Sequence, residues 1–159
     1  MSVTRVKAHF KALGINDIVV ETDQPSGTVK EAAEAIGTEE QRIAKTLSFL
    51  LDDGVILIVV AGDAKVDNRK YKDTFGQKAS MLRFEQAEEL TGHAPGGICP
   101  FGVKEGVRIY LDESLRRFTS VYPAAGSANS HVHLTIPEME KYCNPEKWVD
   151  VTKLPDQTS

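Results

Sequence analysis

The chain has 159 residues, 41% of them hydrophobic, and a formal net charge of -4, enough for one domain with a proper core and too little for two. No charged-then-apolar leader is visible, and the longest apolar run, Val55 to Ala61, is strand-sized where a membrane helix needs roughly 18–20 residues. Cys99 and Cys143 form neither a disulfide framework nor a zinc spacing, so a reduced, cytoplasmic setting without membrane contact is expected.

Val3, Val6, Phe10 and Leu13 recur at helical spacing before Gly14, which predicts a first helix. A short strand is expected over Ile18 to Glu21. Ser26-Gly27-Thr28 then opens a helix from Val29 to Ile36, stopped by Gly37. Ile43 to Leu51 and Val55 to Ala61 read as a hairpin turning at Asp53-Gly54. The second strand is apolar on both faces, which suits the middle of a sheet. Asp67 can cap a helix reaching Phe75, Met81-Leu82 suggests a brief strand, and Phe84 to Leu90 a short helix.

Gly92 to Gly102 is the stretch richest in glycine and proline and is read as a loop. Beyond it, Val107 to Leu111, Phe118 to Tyr122 and Val132 to Ile136 are expected as strands. Asp112 to Leu115 should make a helical turn, and Pro137 should begin a helix over Glu138 to Tyr142. This predicts one α+β domain with a mixed sheet over residues 1–153 and a flexible tail over 154–159.

Four features bear on chemistry. Strand alternation places Lys45 with Ile43, Leu47, Phe49 and Leu51, on the more apolar face. A buried ammonium must be paired, reach solvent, or face a cavity. The loop Gly96-Gly97-Ile98-Cys99-Pro100-Phe101-Gly102 can bring backbone N–H groups close to a carbonyl or phosphate oxygen. It also reads as an ordinary connection. Cys99 has no histidine close in sequence and is taken as a packing residue. The small run Ala124-Ala125-Gly126-Ser127-Ala128-Asn129-Ser130 offers room and hydrogen-bonding groups. His131 and His133 share one strand face opposite Val132 and Leu134, are expected to look toward solvent, and are not read as a metal site.

In order and spacing, several segments together resemble the YbaK/prolyl-tRNA-synthetase-associated editing domain family. They are Thr28 to Gly37, Ile43-Ala44-Lys45-Thr46-Leu47, Val59-Val60-Ala61-Gly62-Asp63, Thr91-Gly92, Gly96 to Gly102, Tyr110 to Leu115, and Ala125-Gly126. The resemblance runs from about Ser26 to Cys143. It implies an irregular, partly barrel-like mixed sheet flanked by helices. It also implies hydrolysis of the ester joining a non-cognate amino acid to the 3′ end of tRNA, often tRNA(Pro).

On that resemblance Lys45, Gly96 and Gly97 are the catalytic residues, and Thr46, Pro100, Phe101, Gly126, Ser127 and Asn129 the substrate-binding ones. Leu47, Ile98 and the Ala124 to Ala128 loop would shape the amino-acid pocket. The partner is the acceptor end of an aminoacyl-tRNA, with a transient synthetase contact compatible; no cofactor, metal, membrane or DNA is implied. Thr46 stands where alanyl-specific members tend to carry Asn, and Gly126-Ser127-Ala128-Asn129 replaces an Arg-rich loop, so the edited amino acid is left open. Lys65, Arg69, Lys70 and Lys72, with Lys78 and Arg83, outweigh the neighbouring acids and are candidates for following the tRNA backbone. Two other readings stay open: a hydrolase of a different acyl ester, and a non-catalytic protein that binds aminoacyl-tRNA or a nucleotide.

Overall fold

The computed structural model describes residues 2–24 and 28–155. The elements in chain order are α1 (Ser2–Ala12), β1 (Val20–Glu21), α2 (Val29–Ile36), a 3-10 turn at Glu40–Arg42, β2 (Ile43–Leu51) and β3 (Gly54–Ala61). Next come β4 (Lys65–Val66), α3 (Asn68–Phe75), a 3-10 turn at Phe84–Gln86, α4 (Ala87–Thr91) and β5 (Arg108–Asp112). A 3-10 turn at Glu113–Arg117, β6 (Ser120–Pro123), β7 (Ser130–His131), β8 (Leu134–Thr135), α5 (Ile136–Cys143), β9 (Lys147–Val149) and β10 (Thr152–Lys153) complete the chain.

Six strands form a curled mixed sheet in the order β8-β6-β2-β3-β5-β9. The β2–β3 hairpin is antiparallel, while β5 joins β3, and β6 joins β2, in parallel. β3 lies at the centre, as its two-sided apolar pattern predicts. Ile56 through Ala61 are all fully buried, and at about 1.5–3 kcal/mol per large side chain this strand is a main source of stability. Two-residue ladders, β1 with β7 and β4 with β10, tie the periphery together.

α2 starts where Thr28 Oγ1 accepts the Glu31 N–H at 3.1 Å and stops at Gly37, whose φ of 84° suits glycine. Ala32 and Ala33 let the helix approach Ile43 closely, with Val29, Ile36 and Tyr122 packed around them. This small cluster is separate from the main core.

Several sequence expectations shift. The first strand shrinks to Val20–Glu21, and Met81 makes only an isolated bridge to Phe49. The expected strand from Val132 to Ile136 is reduced to Leu134–Thr135. Thr135 ends β8, paired with Ser120, and at once caps α5, accepting the Glu138 N–H while the Glu138 carboxylate accepts the Thr135 N–H. Ile136 is therefore helical, not extended. β9 and β10 have no counterpart in the sequence reading. Leu154, assigned to the tail, packs against the core; residues 156–159, and Ser26-Gly27 before α2, lie outside the described residues.

Candidate active site

A cleft of about 240 Å³ opens between α2, the outer edge of β2 and the two glycine-bearing loops. One wall is apolar, from Val29, Ala32, Ile36, Ile43, Leu47 and Ile98. The polar side comes from Lys45, Thr46, Ser130, His131 and Gly96. Among the described residues no Asp or Glu lines it.

The cleft exists because β2 loses a neighbour. β6 pairs with β2 only at Ile43 and Ala44. Farther along that same edge Ser48 accepts the Leu82 N–H at 3.2 Å and Leu50 donates to Ser80 at 2.8 Å. Main-chain groups alternate along a strand, so Ala44, Thr46, Ser48 and Leu50 all turn theirs away from β3. Thr46 alone of these has no outer-edge partner among the described residues. Its Oγ1 is also buried without a hydrogen bond. An unsatisfied buried hydroxyl costs about 1–3 kcal/mol.

Lys45, its neighbour, lines the cleft, and its ammonium makes no ion pair or hydrogen bond among the described residues. Burial lowers its pKa from the ordinary 10.5, Asp63 opposes that shift, and Lys65 adds to it. A desolvated cation with its donors unoccupied can stabilise charge growing on a carbonyl oxygen.

The glycine loops play unequal parts. A Cβ on Gly97 would lie 2.5 Å from the Gly126 carbonyl carbon and 2.6 Å from the Ser127 nitrogen. The two loops are thus in backbone contact, which only glycine permits at Gly97. The Gly97 N–H is used on Ala94 O at 3.0 Å, so this residue supplies the close approach and no donor to the cleft. Gly96, at φ +90°, is exposed and lines the cleft. Gly126, at φ +100°, is buried beneath it.

Other expected substrate contacts lie elsewhere. Phe101 is fully buried with its ring 4.8 Å from that of Phe10, because the loop turns it into the core. Pro100 borders a different groove beside Gly102 and Cys143. Ser127 Oγ donates to Asn129 Oδ1 and is hydrogen-bonded to Ser130 Oγ, both at 2.8 Å, and Asn129 Nδ2 donates to Thr22 O at 2.9 Å. These two side chains hold their loop against the residue after β1. Of the expected lining, Leu47, Ile98 and Ala124 do face the cleft.

The histidines separate. His133 is exposed, stacked on Tyr122 at 4.1 Å and hydrogen-bonded to Ser120 Oγ. His131 instead lines the cleft, contrary to its expected solvent-facing position, because β7 ends the open edge beside Ala124. Burial lowers its pKa below 6.5.

Sequence spacing also conceals a pairing: His93, six residues before Cys99, places Nε2 3.6 Å from Sγ. Both residues are fully buried. Burial pushes the Cys99 thiol up to about 12, and a thiol that stays protonated is no nucleophile. Cys99 packs, as expected.

Of the basic residues, Lys65, Arg69 and Lys72 are exposed on β4 and α3. Lys70 is engaged by Asp150 at 3.1 Å and Thr152 O at 2.8 Å. Among the described residues no helix is long and apolar enough to cross a membrane.

A family model described as an aminoacyl-tRNA editing domain matches residues 23–142. YwhH of Bacillus subtilis, an uncharacterized protein, is 48% identical over 96% of this chain and 98% of its own length. EbsC of Enterococcus faecalis, named as a candidate Cys-tRNA(Pro)/Cys-tRNA(Cys) deacylase, is 29% identical over 67% of this chain and 66% of its own. A crystal structure described as a candidate trans-editing enzyme for prolyl-tRNA synthetase superposes with a TM-score of 0.86 at 31% identity, covering 96% of this chain and 97% of that one. With its curled sheet, its cleft at Lys45 and these relatives, the chain belongs to the aminoacyl-tRNA editing domain family.

Proposed function

We propose that this protein is a free-standing deacylase that removes a small non-cognate amino acid from tRNA, with tRNA(Pro) the favoured carrier. The observation that carries the reading is the cleft itself: an apolar wall facing an unpartnered Lys45 and the unsatisfied Thr46. Its 240 Å³ gives room for a small amino-acid side chain against the apolar wall.

An aminoacyl ester is already activated, so hydrolysis needs a placed water and a stabilised oxyanion more than a strong base. Lys45 meets the developing negative oxygen, with the N–H groups of Thr46 and Gly96 as further donors. The apolar wall holds the amino-acid side chain, where one methylene is worth only about 1–3 kcal/mol. The absence of a cleft carboxylate among the described residues fits a mechanism in which the neighbouring ribose hydroxyl assists the water. The acceptor strand would approach past Lys65, Arg69 and Lys72, whose phosphate contacts would make binding salt-dependent. In the cell, such an enzyme works in the cytoplasm beside the synthetase whose errors it clears.

The experiment is a deacylation panel: tRNA(Pro) and a second tRNA, each charged with Ala, Cys, Ser or Thr. Faster release from one or more mischarged tRNA(Pro) species supports the reading. Inactivity across the panel, with tRNA binding retained, would move the protein to the non-catalytic binding class; hydrolysis of simple acyl esters alone would mark a different hydrolase.

A further inference from the structure

Lys45 has to remain an ammonium in a cleft that works against its charge. Burial and the nearby Lys65 both favour the neutral amine, and the opposing influence is Asp63. The other titratable cleft residues, Tyr122 and His131, come from β6 and β7. Asp63 lies two residues past Ala61, which pairs with Ala44 beside Lys45. Yet no ion pair joins Asp63 to the lysine. Instead Arg117 grips both carboxylate oxygens, Nη1 donating to Oδ2 at 3.1 Å and Nη2 to Oδ1 at 2.5 Å. The guanidinium is itself fixed, since Nε donates to Ser114 O at 3.0 Å. The turn leading to Asp63 is equally constrained, because a Cβ on Gly62 would fall 2.0 Å from the Glu40 carbonyl oxygen.

We infer that Asp63, held back by Arg117, is a positioning residue: a set-back counter-charge that keeps Lys45 protonated while leaving its N–H groups for the substrate. A carboxylate in direct contact would stabilise the ammonium more strongly and also occupy the donors the ester needs. A bidentate arginine clamp is the arrangement that holds a carboxylate in one place. Arg117 thus sets the distance over which Asp63 acts. The inference rests on assigning Lys45 to the ester, but its test needs no activity.

Competitive acylation of the full-length protein with trace acetic anhydride over a pH series, read by mass spectrometry, gives the apparent pKa of each lysine. Asp63→Asn should lower that of Lys45 by about one unit, a tenfold change in its amine fraction at a given pH. Exposed Lys72 should stay unchanged. Arg117→Met should release Asp63 onto Lys45, raising the lysine's pKa and lowering its reactivity while slowing deacylation. A Lys45 titration unmoved in folded Asp63→Asn overturns the counter-charge. If that variant does not fold, Arg117→Met decides: an unmoved or lowered Lys45 pKa overturns the inference. A wild-type protein inactive toward every aminoacyl-tRNA would refute the deacylase reading and leave these titrations standing.

Discussion

Two parts of the molecule carry residues of catalytic type, and they differ in one respect. Cys99 and His93 sit within 3.6 Å of each other, the pairing a thiol hydrolase would use, but both are sealed in the core. His93 Nε2 is spent on Phe101 O at 2.6 Å. The Lys45 ammonium has no such partner and lines an open cleft, which Thr46 also lines although its Oγ1 is buried. Access separates the two, since His93 Nδ1 is also buried without a partner yet opens onto no cleft. Residue chemistry alone would favour the cysteine.

The comparison breaks most easily at Lys45. Lys45→Met removes the cation while keeping a stem of similar length, and deacylation should fall about 10²–10³-fold, the loss typical of one oxyanion donor. Unfolding by urea should change little. Gly97→Ala forces apart the loops that meet at Gly126; unfolding experiments should show about 1–3 kcal/mol lost, as in overpacked cores, with deacylation reduced further. Thr46→Val keeps the shape and removes the unsatisfied Oγ1. Stability should hold or rise slightly while deacylation drops up to about tenfold, since a hydrogen bond contributes about 0.5–1.5 kcal/mol.

Two smaller effects sharpen the contrast. Burial holds His93 and His131 below the ordinary 6.5. The unfolded chain therefore takes up protons first as pH falls, so stability is full above pH 6.5 and declines below it. Urea midpoints between pH 7.5 and 5 should show this decline, and His93→Gln should flatten it. Cys99→Ala should cost about 1 kcal/mol of stability and change deacylation by less than about twofold. A larger loss of activity would reverse the ranking of the two regions.

Much of this was legible in the sequence where one element's own pattern decides the outcome. Asp53-Gly54 marks the hairpin, and Thr28 and Gly37 mark the ends of α2. The two-sided apolar run of β3 marks the centre of the sheet. Strand alternation with family order singled out Lys45. Illegible features depend on where a different segment stops. The β2 edge opens at Thr46 because β6 ends at Pro123, which no local pattern announces. Phe101 turns inward because Phe10 of α1 is there to receive it. β9 and β10 are too short to carry a period, and the strand expected across Ile136 gives way to the stronger Thr135–Glu138 cap. Asp63 and Arg117 are 54 residues apart and meet only through the packing of the Glu113–Arg117 turn on β3.

The most direct measurement is an NMR titration of the isotopically labelled protein with a non-hydrolysable 3′-amide analogue of alanyl-adenosine. Saturable shifts are expected at Thr46, Gly96, Ile98 and His131 and at the Lys45 side chain, with His93, Cys99 and Pro100 still. Saturable shifts centred on His93, Cys99 and Pro100, with Lys45 and Thr46 unmoved, would contradict the cleft as the binding site.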